Sequence, residues 1–126
     1  MSYKITIEDR GIYCVFSGAL TNEELINCNN EIFQIPQFSE IEYEIVNFKN
    51  VTEFPIESSA IRTVAEQDAE IYKTNPNVKA AIVANTPVIK GLTNMYRTYF
   101  ELSGNDISWE IEVFNTDEDA RKWINA

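Results

Sequence analysis

Two spacings of apolar residues alternate along this chain, and the switches between them mark its elements. Tyr3, Ile5 and Ile7 alternate with Lys4 and Thr6, the period-two pattern of a half-buried strand. Glu8-Asp9-Arg10-Gly11 supplies a turn, and Ile12 to Phe16 returns, so a β-hairpin opens the chain. The period then lengthens. Leu25, Cys28 and Ile32, with Asn29 and Phe33 beside them, recur at helical spacing behind Thr21-Asn22-Glu23-Glu24. That tetrad is a capping box, Thr at the cap and Glu three residues later. Pro36 stops the helix, and Ile41 to Phe48 reads as a third strand. A helix is expected from about Ile56 to Lys73, with Ile61, Val64, Ala65, Ala69 and Tyr72 as its inner stripe. After the turn Asn75-Pro76-Asn77, Val78 to Ala84 is a short apolar strand of the kind found centrally in parallel sheets. Thr86-Pro87 caps the next helix, proline at its first position; Val88, Leu92, Met95, Tyr96 and Tyr99 line one face. Gly104-Asn105 turns the chain, Trp109 to Phe114 forms a strand, and Thr116-Asp117-Glu118-Asp119 caps a last helix burying Ala120, Trp123 and Ile124.

The order is β-β-α-β-α-β-α-β-α. Strands alternating with helices imply an α/β fold with a parallel sheet. The opening hairpin makes the first strand an antiparallel edge, so a mostly parallel five-stranded sheet is expected. Glu42 and Glu44 share a parity in the third strand, and Glu110 and Glu112 share one in the last. A strand covered on both sides should be continuously apolar. The expectation is therefore helices mainly on one face and water on much of the other. These four glutamates would sit solvated on the open face, with Lys79 beside them contributing under about 1 kcal/mol per exposed pair.

Composition narrows the function classes. The 126 residues are 44% hydrophobic and 24% charged, enough for a single domain spanning 1–126 with one real core. The net charge of −10 opposes nucleic acid, whose phosphates need Lys and Arg, and equally an anionic membrane surface. Met1-Ser2-Tyr3-Lys4 leads into a strand rather than a signal peptide, and no apolar run approaches the roughly 20 residues of a membrane span. Cys14 and Cys28 are too few for a disulfide framework. A cytoplasmic protein is the economical expectation.

Candidate chemistry is sparse. There is no histidine, hence no Ser-His-Asp or Cys-His catalytic arrangement. Neither a Cys/His metal cluster nor a phosphate- or dinucleotide-binding glycine pattern occurs. No cofactor, metal site or catalytic residue is assigned, and a non-enzyme is expected. Ser58 and Ser59 follow the third strand and its proline loop and open a helix. They stand at the carboxyl end of a strand and the positive end of a helix, where ligands and phosphates are stabilised in open α/β sheets. As helix caps they would fill the role serine favours; as a regulatory or anion-contacting pair they would present hydroxyls at a surface. Asp68 falls beside its helix's inner stripe, a border position expected to reach solvent. Gly91, one turn into its helix, is expected to mark close helix–sheet contact. Met95, Tyr96, Tyr99 and Phe100 form an aromatic-rich helix flank that core packing, a lipophilic groove against Phe54, or a dimer surface would each explain.

Three segments together resemble a known family: Glu44-Ile45-Val46-Asn47-Phe48-Lys49-Asn50-Val51-Thr52; Lys79 to Ala84 with Gly91-Leu92-Thr93-Asn94-Met95-Tyr96; and Glu112-Val113-Phe114 through Asp119 to Ile124. In order and spacing the chain resembles STAS-like domains, the fold of sulfate-transporter cytoplasmic domains and anti-sigma-factor antagonists. The small stand-alone SpoIIAA-like branch is the nearest resemblance, itself related to the CRAL-TRIO lipid-carrier architecture. The resemblance implies a regulatory serine in the turn after the third strand, where Glu57-Ser58-Ser59-Ala60 stands. It also implies a non-enzymatic module that binds an unidentified protein partner. A carrier or sensor of a small apolar or lipid-like ligand, held by Phe54, Ile56, Met95 and Tyr99, is the alternative. A homodimer is compatible with either.

Overall fold

The computed structural model describes residues 2–103 and 108–125, so the expected turn at Gly104-Asn105 lies outside the described residues. Five strands and four α-helices follow the expected order: β1 (Tyr3–Ile7), β2 (Gly11–Ala19), α1 (Asn22–Phe33), β3 (Tyr43–Glu53), α2 (Ser58–Ile71), β4 (Lys79–Val83), α3 (Pro87–Ser103), β5 (Glu110–Phe114) and α4 (Asp117–Ile124). A short 3-10 turn, Pro36–Glu40, lies between α1 and β3. The sheet order is β1-β2-β3-β4-β5. Only β1 and β2 pair antiparallel; every other neighbouring pair is parallel. The long β3 is the middle strand, and β4 is interior too, paired in parallel with β3 and β5, as its apolar run had pointed to.

Local signals explain most of the ends. The Thr21 hydroxyl accepts from the Glu24 N–H at 3.2 Å, and Thr116 accepts from Asp119 N–H at 3.1 Å, each satisfying a helix-end donor. The second half of the box at α1 does not close. Glu24 instead accepts from the Ser2 N–H at 3.1 Å, tying the chain's start to α1. Asn75 does similar work at the other end of the sheet. Its buried amide donates to the carbonyls of Phe38 at 2.8 Å and Ile41 at 2.9 Å, and its own carbonyl accepts from Trp109 Nε1 at 2.6 Å.

The two faces of the sheet carry different helices. Ile12, Glu44, Ala80 and Ile111 align across four strands, as do Cys14, Val46, Ile82 and Val113. These rows face the main core, to which α1, α2 and α3 contribute Cys28, Ile32, Ile61, Val64, Ile89 and Phe100. The intervening rows, including Tyr43 with Lys79 and Glu110, face a smaller cluster of Tyr43, Ile45, Ala81, Val83 and Ala120 under α4. Helices are thus mainly on one face, with α4 on the other.

This register corrects several expectations. Glu44 does not share a face with Glu110 and Glu112. It projects toward the three-helix layer and is 9% exposed. Lys79 keeps company with Trp123, its ammonium 5.3 Å from the ring centre and donating to the Trp123 carbonyl at 3.3 Å. Asp68 is buried, 7% exposed, rather than a solvent-reaching border residue. In α3 the buried positions are Ile89, Thr93 and Phe100, whereas Val88 is 61% exposed; the inner stripe is phased one residue later than expected. Gly91 is exposed, and a Cβ there would meet nothing within 4 Å. The glycine that does permit close approach is Gly11, where a Cβ would fall 2.4 Å from the Tyr43 ring.

Candidate functional site

The helical face of the sheet lines a half-open cavity of about 90 Å³. One ordered water needs roughly 10–15 Å³, so the space holds several waters or one small molecule. Its wall runs from Phe48 and Phe54, at the carboxyl end of β3, to Trp109, just before β5. Between them the wall is apolar, with Val46 and Ile82 from the sheet and Ile89 and Leu92 from α3. Close packing normally fills a protein interior with few voids larger than a water.

Two carboxyl groups stand in this apolar wall, Glu44 from β3 and Asp68 from α2. Asp68 is well supplied with donors. The Tyr96 hydroxyl donates to Oδ2, and Asn29 Nδ2 donates to Oδ1 at 3.1 Å while also reaching Gln67 at 3.0 Å. Glu44 has no side-chain hydrogen bond among the described residues. Among the described residues no Lys or Arg pairs with either group; the ion pairs lie elsewhere. Burial away from water disfavours a carboxylate. Burial, with the charge of Asp68 adding to it, pushes Glu44 up to about 8. Burial likewise pushes Asp68 up to about 7, against the lowering effect of its bonds from Tyr96 and Asn29. Tyr96 is raised by burial and by Asp68.

Cys14 and Cys28 line the same cavity, both free and buried, with their sulfurs 3.2 Å apart. The Cys28 thiol is raised by its hydrogen bond to Cys14 and by burial, so Cys28 is not set up as a thiolate nucleophile. Among the described residues no three Cys, Asp or Glu side chains are grouped to hold a metal ion.

The residues singled out from sequence fall in different places. Phe54 is half-buried, packs edge-on against Phe48 with ring centres 5.6 Å apart, and lines the cavity. Ile56 and Met95 are half-buried against the main core but are not part of the cavity wall. Tyr99 faces a surface groove between α2 and α3, its ring under the Arg62 guanidinium at 5.9 Å. Ser58 and Ser59 are exposed and occupy the first two positions of α2. Neither caps the helix. The cap position belongs to Glu57, whose side chain makes no capping bond and whose N–H donates to Asn22 Oδ1 at 2.9 Å. A tertiary bond from the start of α1 places the boundary one residue before the serines.

Glu44, Asp68, Tyr96 and Asn29 were not grouped from sequence. A signal existed. Glu44 shares parity with Val46 and Phe48, and Asp68 is spaced with Ile61, Val64 and Ala65. An acid at the apolar phase of a strand, matched by one at the apolar phase of the following helix, points to a buried polar cluster.

The sheet order, the antiparallel edge and the three-helix layer define the class: this is a STAS-like α/β fold of the SpoIIAA-like type. Solved structures of low sequence identity share it. The anti-sigma-factor antagonist SpoIIAA in its unphosphorylated form is 13% identical, with 98% of each chain covered and a TM-score of 0.62. An uncharacterized DUF3478-family protein from Shewanella loihica PV-4, with a SpoIIAA-like fold, is 15% identical over 98% of this chain and 94% of that one, TM-score 0.60. The Bacillus cell fate determinant SpoIIAA in its phosphorylated form is 14% identical over 97% and 98%, TM-score 0.57. No protein-family model and no curated protein sequence matches the chain. Among the described residues no helix is long and apolar enough to cross a membrane.

Proposed function

We propose that this protein is a non-enzymatic regulatory module that senses a small, largely apolar molecule held in the cavity between its sheet and its three-helix layer. The observation that carries this reading is the cavity of about 90 Å³ in the middle of an otherwise packed core. Its wall offers apolar surface and a few convergent polar groups, the usual makeup of a small-molecule site. Xenon under pressure tests it, because this atom enters dry apolar cavities regardless of charge. Methyl NMR signals of Val46, Ile82, Ile89 and Leu92 should shift saturably while those of exposed Val88 and Leu102 do not. Unmoved cavity methyls would overturn the reading.

A second reading is favoured by the exposed hydroxyls of Ser58 and Ser59 at the start of α2. They stand free of any capping role, and SpoIIAA of the same fold has been solved in unphosphorylated and phosphorylated forms. In this reading the start of α2 is a protein-binding surface altered by phosphorylation, since added negative charge suits a helix start yet changes what a partner meets. A pull-down comparing Ser58→Ala, Ser58→Asp, Ser59→Ala and Ser59→Asp with the wild type checks it. Partner sets that differ between Ala and Asp variants support a switch; identical sets remove it.

A further inference from the structure

Resting on the reading of the cavity as a ligand site, we infer that its ligand is a short primary alkylammonium ion, the ammonium held by Glu44 and the alkyl chain lying against Val46 and Ile82. The geometry supports this from three sides. Glu44 is nine-tenths buried, lines the cavity and has no donor among the described residues. A buried charge is normally paired or hydrogen-bonded. Asp68 has its own donors in Tyr96 and Asn29, so the acceptor left free is Glu44, with a second negative group close behind it. Apart from Asn29, Thr93 and Tyr96 the rest of the wall is apolar, which disfavours a hydrated or multiply charged ion. No third Cys, Asp or Glu completes a metal site among the described residues. An ammonium offers three donors on one compact charge. It would also lower both carboxyls from the raised values that burial imposes.

Isobutylamine, protonated at neutral pH, and isobutanol, its neutral near-isostere, are the probes. The chain's net charge of −10 attracts any cation weakly, so binding is read at physiological ionic strength from the cavity methyls alone, with Val88 and Leu102 as surface controls. Wild type should bind the amine at least about ten-fold tighter than the alcohol, the scale of one charge-assisted hydrogen bond in a dry site. Glu44→Gln, which keeps shape and removes the charge, should abolish that preference. Equal affinities for the two probes in wild type would overturn the inference, and that comparison needs no variant. A preference that survives in Glu44→Gln would overturn the role of Glu44. If xenon enters and the amine is not preferred, only the ammonium inference falls. If neither xenon nor amine reaches the cavity methyls, the ligand-site reading falls with it.

Discussion

The two faces of this sheet treat buried polar groups in opposite ways. Under α4 each buried or half-buried polar group has a partner. Arg121 clasps Glu8 through two nitrogens, at 2.6 and 2.7 Å, and its guanidinium lies 5.1 Å from the Tyr13 ring centre. The Tyr43 hydroxyl also donates to Glu8. Asn47 donates to Tyr13 at 3.0 Å and to Asp117 at 2.9 Å, and Tyr13 donates to Asp117 at 2.6 Å. Beneath α1–α3 the arrangement is reversed: two acids share a largely apolar space, and among the described residues they meet no cation and one of them has no donor. Closed networks of the first kind fix one element onto another. An incomplete network is costly to the folded state. Its persistence here fits the cavity face as the functional face and the α4 face as scaffold.

The contrast is sharpest in pH dependence, where the largest effect is expected. Glu44 and Asp68 rise from ordinary values of 4.5 and 3.8 to about 8 and about 7. The folded state therefore binds more protons than the unfolded chain across that interval. Stability from this face is full below about pH 4 and falls as pH rises through 7 to 8. Because both acids move in the same direction, their contributions to this decline add. The groups facing Glu44 are Asp68 of α2, Tyr96 of α3, and Cys14 and Cys28 of β2 and α1; none supplies a positive charge. Glu44→Leu should raise the unfolding free energy at pH 8, read from urea titration, by roughly 1–4 kcal/mol on the precedent of buried charges replaced by apolar residues. It should also flatten the decline between pH 5 and 8. A slope unchanged by Glu44→Leu would show that the acids of this face do not govern it.

Why the sequence foretold one face better than the other follows from particular residues. Order and type of the elements were legible because each apolar spacing was unambiguous and Thr21 and Thr116 announced their helices. The face assigned to Glu44 was not correct, because a lone Glu on a strand looks the same whether it meets water or a cavity. Only the register, Ile12–Glu44–Ala80–Ile111, shows that Glu44 lies among apolar neighbours. The caps at Ser58 and Ser59 failed for another reason. The boundary of α2 is set by a bond between Glu57 and Asn22, thirty-five residues apart in the chain, which no local propensity encodes. The glycine placed against the core was likewise a matter of register. Gly11 lies beside Tyr43 across neighbouring strands, whereas Gly91 looks out to solvent.

An intermediate effect should come from the scaffold side. Trp123 anchors α4 by packing on Phe114, ring centres 5.4 Å apart, with Lys79 over its face. Removing a fully buried large aromatic costs about 3–5 kcal/mol, but Trp123 is only half-buried. Trp123→Ala should therefore cost about 2–3 kcal/mol in a urea titration. It should leave the affinity of xenon for the cavity unchanged, because α4 and the cavity lie on opposite faces. Loss of xenon binding in a variant that remains folded would show that the two faces are coupled.

The smallest expected effect tests whether pairing is what distinguishes the scaffold face. Arg121 and Glu8 have side chains 38% and 24% exposed, so their attraction is screened and is worth far less than its geometry suggests. Arg121→Ala should cost about 1 kcal/mol, part of it from packing lost over the Tyr13 and Tyr43 rings. Its signature is more specific than its size. The hydrogen bond from Arg121 is the main cause holding Glu8 below its ordinary 4.5, burial opposing it. A lowered carboxyl contributes stability that is present above the ordinary carboxylate range and is lost as pH falls through its folded value. Wild type should thus lose stability on strong acidification through Glu8, and Arg121→Ala should lose less, while the decline above pH 5 stays as it was. The two arms of one pH–stability profile then report the two faces separately: the acid arm answers to Arg121 and the neutral arm to Glu44. Should Arg121→Ala change the neutral arm instead, the division of labour between the faces would be wrong.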